Sequence, residues 1–93
     1  MILDKLAELT TAVAFDLDAV RPGPGNPIKM YATGVGGPLV VTCGADTAAA
    51  DACITVDATE PVEFELPSNT KQFIKATFAT GNVYVVMDAQ TNL

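Results

Sequence analysis

The stretch EPVEFELPSNTKQFIKATFATGNVYVVMD, Glu60 to Asp88, holds three consecutive strand signals and the turns between them. In Val62-Glu63-Phe64-Glu65-Leu66, apolar residues alternate with carboxylates. A period of two sends Val62, Phe64 and Leu66 to one face of a strand and Glu63 and Glu65 to the other. Pro67-Ser68-Asn69-Thr70 then stops the strand, because proline brings no N–H and the short polar side chains favour turns. A second strand, Gln72 to Ala79, is expected to turn Ile74, Ala76 and Phe78 inward while Lys75 and Thr77 face water. Thr80-Gly81-Asn82 tolerates positive φ, so the third strand, Asn82 to Asp88, is expected to return beside the second as a hairpin. One sheet with a definite apolar face is the expectation.

Upstream the same alternation recurs between breakers. Met1 to Leu9 places Ile2, Leu3, Leu6 and Leu9 at helical spacing, which predicts a short helix or arm that must dock either on its own sandwich or on a neighbouring molecule, being too short to hold itself together. Thr10 to Asp18 alternates Thr11, Val13, Phe15 and Leu17 against Ala12, Ala14, Asp16 and Asp18, and reads as a strand. Ala19 to Pro27, AVRPGPGNP, carries three prolines and two glycines and must be a surface loop. Further strands are predicted over Ile28–Thr33, Leu39–Cys43 and Cys53–Val56. Gly34-Val35-Gly36-Gly37-Pro38 is a turn, since no helix follows to make it a phosphate cradle. The three consecutive alanines in Gly44–Ala52, Ala48 to Ala50, suggest one helical turn. Seven strands separated by Gly/Pro turns predict an all-β, antiparallel, jelly-roll-like sandwich or barrel over residues 10–93, preceded by an arm over residues 1–9.

Composition limits the partners. For 9.6 kDa, scaling laws give roughly 5,100 Å² of folded surface against roughly 13,900 Å² unfolded, enough burial for one small core. The chain is 49% hydrophobic, although fourteen alanines supply much of that, and this points to a subunit interface. Eleven acids against five bases give a net charge of −6, which repels phosphate backbones and anionic membranes, so neither is an expected partner. No apolar run approaches a membrane span, and the charges at Asp4, Lys5 and Glu8 interrupt any signal-peptide core. Cys43 and Cys53 are therefore expected as reduced, buried thiols.

Chemistry is sparsely supplied. Without histidine the chain lacks the usual neutral-pH base and zinc ligand, and its single serine, Ser68, has no base in view. Asp16 and Asp18, two apart on a predicted strand, would share a face and could hold calcium, but their spacing is not that of an EF-hand. Glu63 and Glu65 read as solvating carboxylates rather than a glycosidase pair, and there is no tryptophan to stack a sugar. The expectation is no enzyme, no metal and no cofactor. If the domain binds carbohydrate instead, as an adhesion or ligand-binding module would, Tyr31 and Tyr84 are the aromatic residues available.

Several stretches carry a resemblance. They are the start Met1-Ile2-Leu3-Asp4-Lys5, Phe15-Asp16-Leu17-Asp18 running into a Gly/Pro loop that ends Asn26-Pro27-Ile28, the pair Phe64-Glu65-Leu66-Pro67 and Gln72–Phe78, and a last strand over Gly81–Asp88. In these the chain resembles the capsid cement (decoration) proteins of tailed bacteriophages, particularly the family typified by the Bordetella phage cement protein. It is shorter than typical relatives between Gly34 and Thr59. The resemblance implies a jelly-roll-like, non-enzymatic protein, made in the host cytoplasm and carried on the outside of the virion, that clamps neighbouring major capsid protein subunits as a homo-oligomer, a dimer or trimer. The residues expected to make contact are Ile2, Leu3, Leu6 and Leu9 of the arm, whose burial in a partner is worth ~1.5–3 kcal/mol each. In the loop they are Arg21, Pro22 and Pro24, where proline lowers the entropy lost on docking and arginine can pair with a carboxylate.

Overall fold

A computed structural model describes residues 3–19, 28–67 and 70–88, with the backbone alone for 3–5 and 87–88. It contains eight strands: β1 (Leu3–Leu9), β2 (Phe15–Asp16), β3 (Lys29–Thr33), β4 (Gly37–Gly44), β5 (Asp51–Ala58), β6 (Val62–Glu65), β7 (Phe73–Thr77) and β8 (Asn82–Asp88). Sheet A has the order β1-β8-β3-β6 and sheet B the order β2-β7-β4-β5, with every pair antiparallel. First pairs with last, second with seventh, third with sixth and fourth with fifth. The chain is thus one long two-stranded ribbon with its tip at the β4–β5 turn, and the pairings β3·β8 and β4·β7 roll that ribbon into two sheets. This is a jelly-roll sandwich as expected, with eight described strands rather than seven because Leu3–Leu9 is itself a strand.

The inward residues follow the alternation. Met30, Val83 and Val85 from sheet A meet Leu39, Val41 and Ile74 from sheet B, and Leu17 adds to the same core. Among the described residues no polar or charged side chain is buried. Total accessible surface is 5311 Å², close to the compact-domain expectation. Val62, Phe64 and Leu66 face the core while Glu63 and Glu65 are exposed, and Ile74 and Ala76 are buried while Lys75 and Thr77 lie on the outer face, as expected.

Several expectations need correction, three of them about the strands. The arm is neither helical nor separate, because Leu3–Leu9 is an edge strand of sheet A, paired with β8 from Leu3↔Asp88 to Leu9↔Val83. A bulge between Lys5 and Ala7 inserts Leu6 into the two-residue period, and this insertion is why the leucines mimic a helical spacing. Thr10–Asp18 is not one strand, since Ala12 at φ 61° breaks the extended backbone and leaves β2 only two residues before a 3-10 turn at Leu17–Ala19. The third correction concerns Thr80-Gly81-Asn82, which does not close a hairpin. It carries the chain from β7 in sheet B to β8 in sheet A, so the quoted stretch spans both sheets.

Every connection except β4–β5 changes sheet. Four of them, β1–β2, β7–β8, β3–β4 and β5–β6, cross at one end of the sandwich and are stitched in that order. Thr11 Oγ1 donates to the Phe78 carbonyl (2.8 Å) and accepts from the Phe78 N–H (3.1 Å). Thr80 Oγ1 donates to the Gly34 carbonyl (3.0 Å), and the Gly36 N–H donates to the Ala58 carbonyl (3.1 Å). At the ribbon tip the alanines form a turn rather than a helix. Asp46 accepts from the Ala48 N–H, and Ala49 takes φ 44° against Gly44.

Candidate interaction surface

Of the side chains expected to make contact, Leu9 is 3% exposed and packs against Val83 in the core, whereas Leu6, at the bulge, is 37% exposed. Leu3 has its backbone placed opposite Asp88. Ile2, Arg21, Pro22 and Pro24 lie outside the described residues, as does most of the Ala19–Pro27 loop. The other exposed large apolar side chains among the described residues are Val13, between β1 and β2, and Val40, on the outer face of sheet B.

The outer face of sheet A carries a row that the single strands do not reveal. Alternation turns Tyr31 out from β3 and Tyr84 out from β8, and register makes them direct partners. Tyr31 is also opposite Glu63 of β6, and Tyr84 is opposite Glu8 of β1. The row therefore reads Glu8, Tyr84, Tyr31, Glu63, with both tyrosines half-buried and both carboxylates exposed. Partners directly opposite stand with Cβ atoms ~4.5–5.5 Å apart, close enough for the four side chains to form one continuous surface. Asn82 Nδ2 donates to Glu8 Oε2 at 2.8 Å and restrains that end. Both tyrosines are evident in the sequence, but their adjacency depends on the register of β3 against β8, which no local pattern encodes.

Sheet B faces out with a different chemistry. Val40 pairs with Thr55 and Thr77, and Thr42 with Ala52 and Lys75, so the middle of this face carries no carboxylate. Asp16 and Asp18 do not share a strand face. Asp16 Oδ1 accepts from the Asp18 N–H (2.9 Å) and from Gln72 Nε2 (3.2 Å), closing the turn after β2. Among the described residues no three potential metal ligands converge, and no helix is long and apolar enough to cross a membrane. Both cysteines are free thiols, Cys43 buried and Cys53 partly so. Burial pushes the Cys53 thiol above its ordinary pKa, and neighbouring Cys43 adds to the rise, while the contact with Thr70 Oγ1 at 3.5 Å works against it.

No protein-family model matches the chain, and no curated protein or solved structure matches it either.

Proposed function

We propose that this protein is a non-enzymatic capsid cement protein that binds the outside of a phage head and clamps neighbouring major capsid protein subunits as a homo-oligomer. The observation that supports the reading is architectural. Within the described residues, the stretches that resemble the cement family fall in β1, in the β2 turn and in β6 to β8, and the sandwich has the jelly-roll pairing that the resemblance implies. A fold of this kind hosts many functions, so the contact surface must supply the specificity. The chain offers exposed Leu6 at the edge of sheet A, half-buried Tyr31 and Tyr84 on that sheet's outer face, and exposed Val40 on the outer face of sheet B. Weak contacts of this size, repeated within an oligomer on a symmetric shell, add through effective concentration.

The test uses the intact chain, because β1 belongs to the sandwich and its removal would uncover the core at Val83. Purified protein is sedimented with phage heads stripped of decoration, and saturable co-pelleting is the expected result. Protein that stays in the supernatant at every concentration overturns the reading. One observation favours a second reading, a carbohydrate-binding or adhesion module: Tyr31 and Tyr84, the available sugar-stacking residues, are adjacent on one face. A glycan array separates the two.

A further inference from the structure

We propose that the row Glu8, Tyr84, Tyr31, Glu63 is a docking strip for a cationic side chain, best an arginine, presented by an extended segment of the capsid subunit. This rests on the cement reading above. A tyrosine ring attracts a cation over its π face, and a guanidinium both stacks on such a ring and forks to a carboxylate. Two rings side by side with a carboxylate at each end offer both interactions within one row. A neutral sugar would use the rings and hydrogen-bond the carboxylates, without the charge attraction that both kinds of group exert on a cation.

The surroundings define the register of docking. In the next row Lys29 lies opposite Glu65 on one side and Val86 on the other, and Lys5 holds the register position across from Val86. A cation displaced by one row toward Lys29 would meet that ammonium and Val86, which is 3% exposed, so the strip is bounded on that side. Glu8, already hydrogen-bonded to Asn82, loses less freedom on docking than an unrestrained carboxylate would. The whole chain carries −6, which steers a basic segment toward it. A second copy is a poor source of the cation, since the chain has one arginine and four lysines among its 93 residues. Tyrosine, and the arginine it would receive, are among the residue types that dominate binding energy at protein interfaces.

The experiment compares full-length wild type with Tyr31→Phe, Tyr31→Leu and Glu63→Gln in sedimentation with stripped heads, after circular dichroism and thermal melts confirm that each variant folds. Tyr31→Phe keeps the π face and should bind like wild type, whereas Tyr31→Leu should weaken binding about tenfold or more. Glu63→Gln should weaken it severalfold and flatten its salt dependence. If wild type binds and Tyr31→Leu and Glu63→Gln bind equally well, the strip is overturned while the cement reading stands. A second arm is independent of heads: the tyrosine ring resonances of the full chain are followed during titration with an extended arginine-bearing peptide and with its citrulline counterpart. A response to arginine alone supports the strip even if no head is bound, in which case the cement reading is what fails. Equal responses, or none, overturn it, and so does a glycan-array signal that Tyr31→Leu abolishes, which would assign the rings to sugar.

Discussion

Gly34 and Gly81 meet backbone to backbone where two sheet-crossing connections pass the same corner. A β-carbon on Gly81 would stand 2.5 Å from both the Gly34 carbonyl carbon and the Thr33 carbonyl oxygen, and Gly81 itself has φ +90°. Neither neighbour can yield, since both are backbone. Gly81→Ala should cost at least about 2 kcal/mol, because strain and collision add. Gly36→Ala, at φ +76° with nothing within 4 Å, meets only the backbone penalty, about 1–2 kcal/mol. Urea unfolding of the two variants measures the difference.

The two leucines of β1 should separate sharply. Leu9→Ala empties a core position, and large-to-small changes of this kind cost about 2–5 kcal/mol. Leu6→Ala, at the exposed bulge, should fall within about 0.5 kcal/mol of wild type. Equal, small effects would mean that the N-terminal segment does not belong to the sandwich.

Ala12 holds φ 61° on the surface, a conformation that disfavours a β-carbon, and its N–H donates to the Ala76 carbonyl. Ala12→Gly relieves about 1–2 kcal/mol of left-handed strain and returns about 0.5–1 kcal/mol in unfolded-state entropy. A net stabilisation, seen as a higher urea midpoint with unchanged slope, is the expected result.

Thiol titration of unfolded protein should give two equivalents per chain, with or without prior reduction, because both cysteines are free. In the folded protein, alkylation should be slow at neutral pH. Cys43 is buried and the raised pKa of Cys53 keeps its thiolate scarce. Rapid modification of two thiols in the native state would contradict this arrangement.

Asp57 accepts from the Thr59 hydroxyl and from the Thr59 N–H, and these bonds hold its carboxyl below the ordinary aspartate range. A depressed folded-state pKa contributes stability that is complete above the unfolded value, about pH 4, and is lost as pH falls through the lower folded value. The stability gap between wild type and Asp57→Asn should therefore shrink on acidification below about pH 4. A gap that widens there would reverse the sign.

The facing of side chains was legible because it is local. Met30 and Ala32 against Lys29 and Tyr31, or Val62 and Phe64 against Glu63 and Glu65, follow from a period of two whatever strand lies alongside. Partnership was not legible where turn chemistry is ambiguous. Gly81 suits a hairpin, yet what it supplies here is room for Gly34 at a crossing between sheets. The bulge that inserts Leu6 disguised an edge strand as a helical stripe, and Ala12, an ordinary residue in an uncommon conformation, gave no sign that the strand after Thr10 would break. The tyrosine row needed the registers of β1, β3, β6 and β8 together, whereas each strand alone shows only its own member of the row.

Pairing first with last also sets the order in which the ribbon can zip. The Cys43↔Asp51 contact at its tip joins residues 8 apart, while Leu3↔Asp88 at its open end joins residues 85 apart. Closing the longer loop directly from the unfolded chain costs about 2 kcal/mol more in chain entropy. Nucleation at the β4–β5 turn followed by growth toward β1 and β8 avoids that search, so substitutions at the tip should slow folding while those in β1 mainly hasten unfolding.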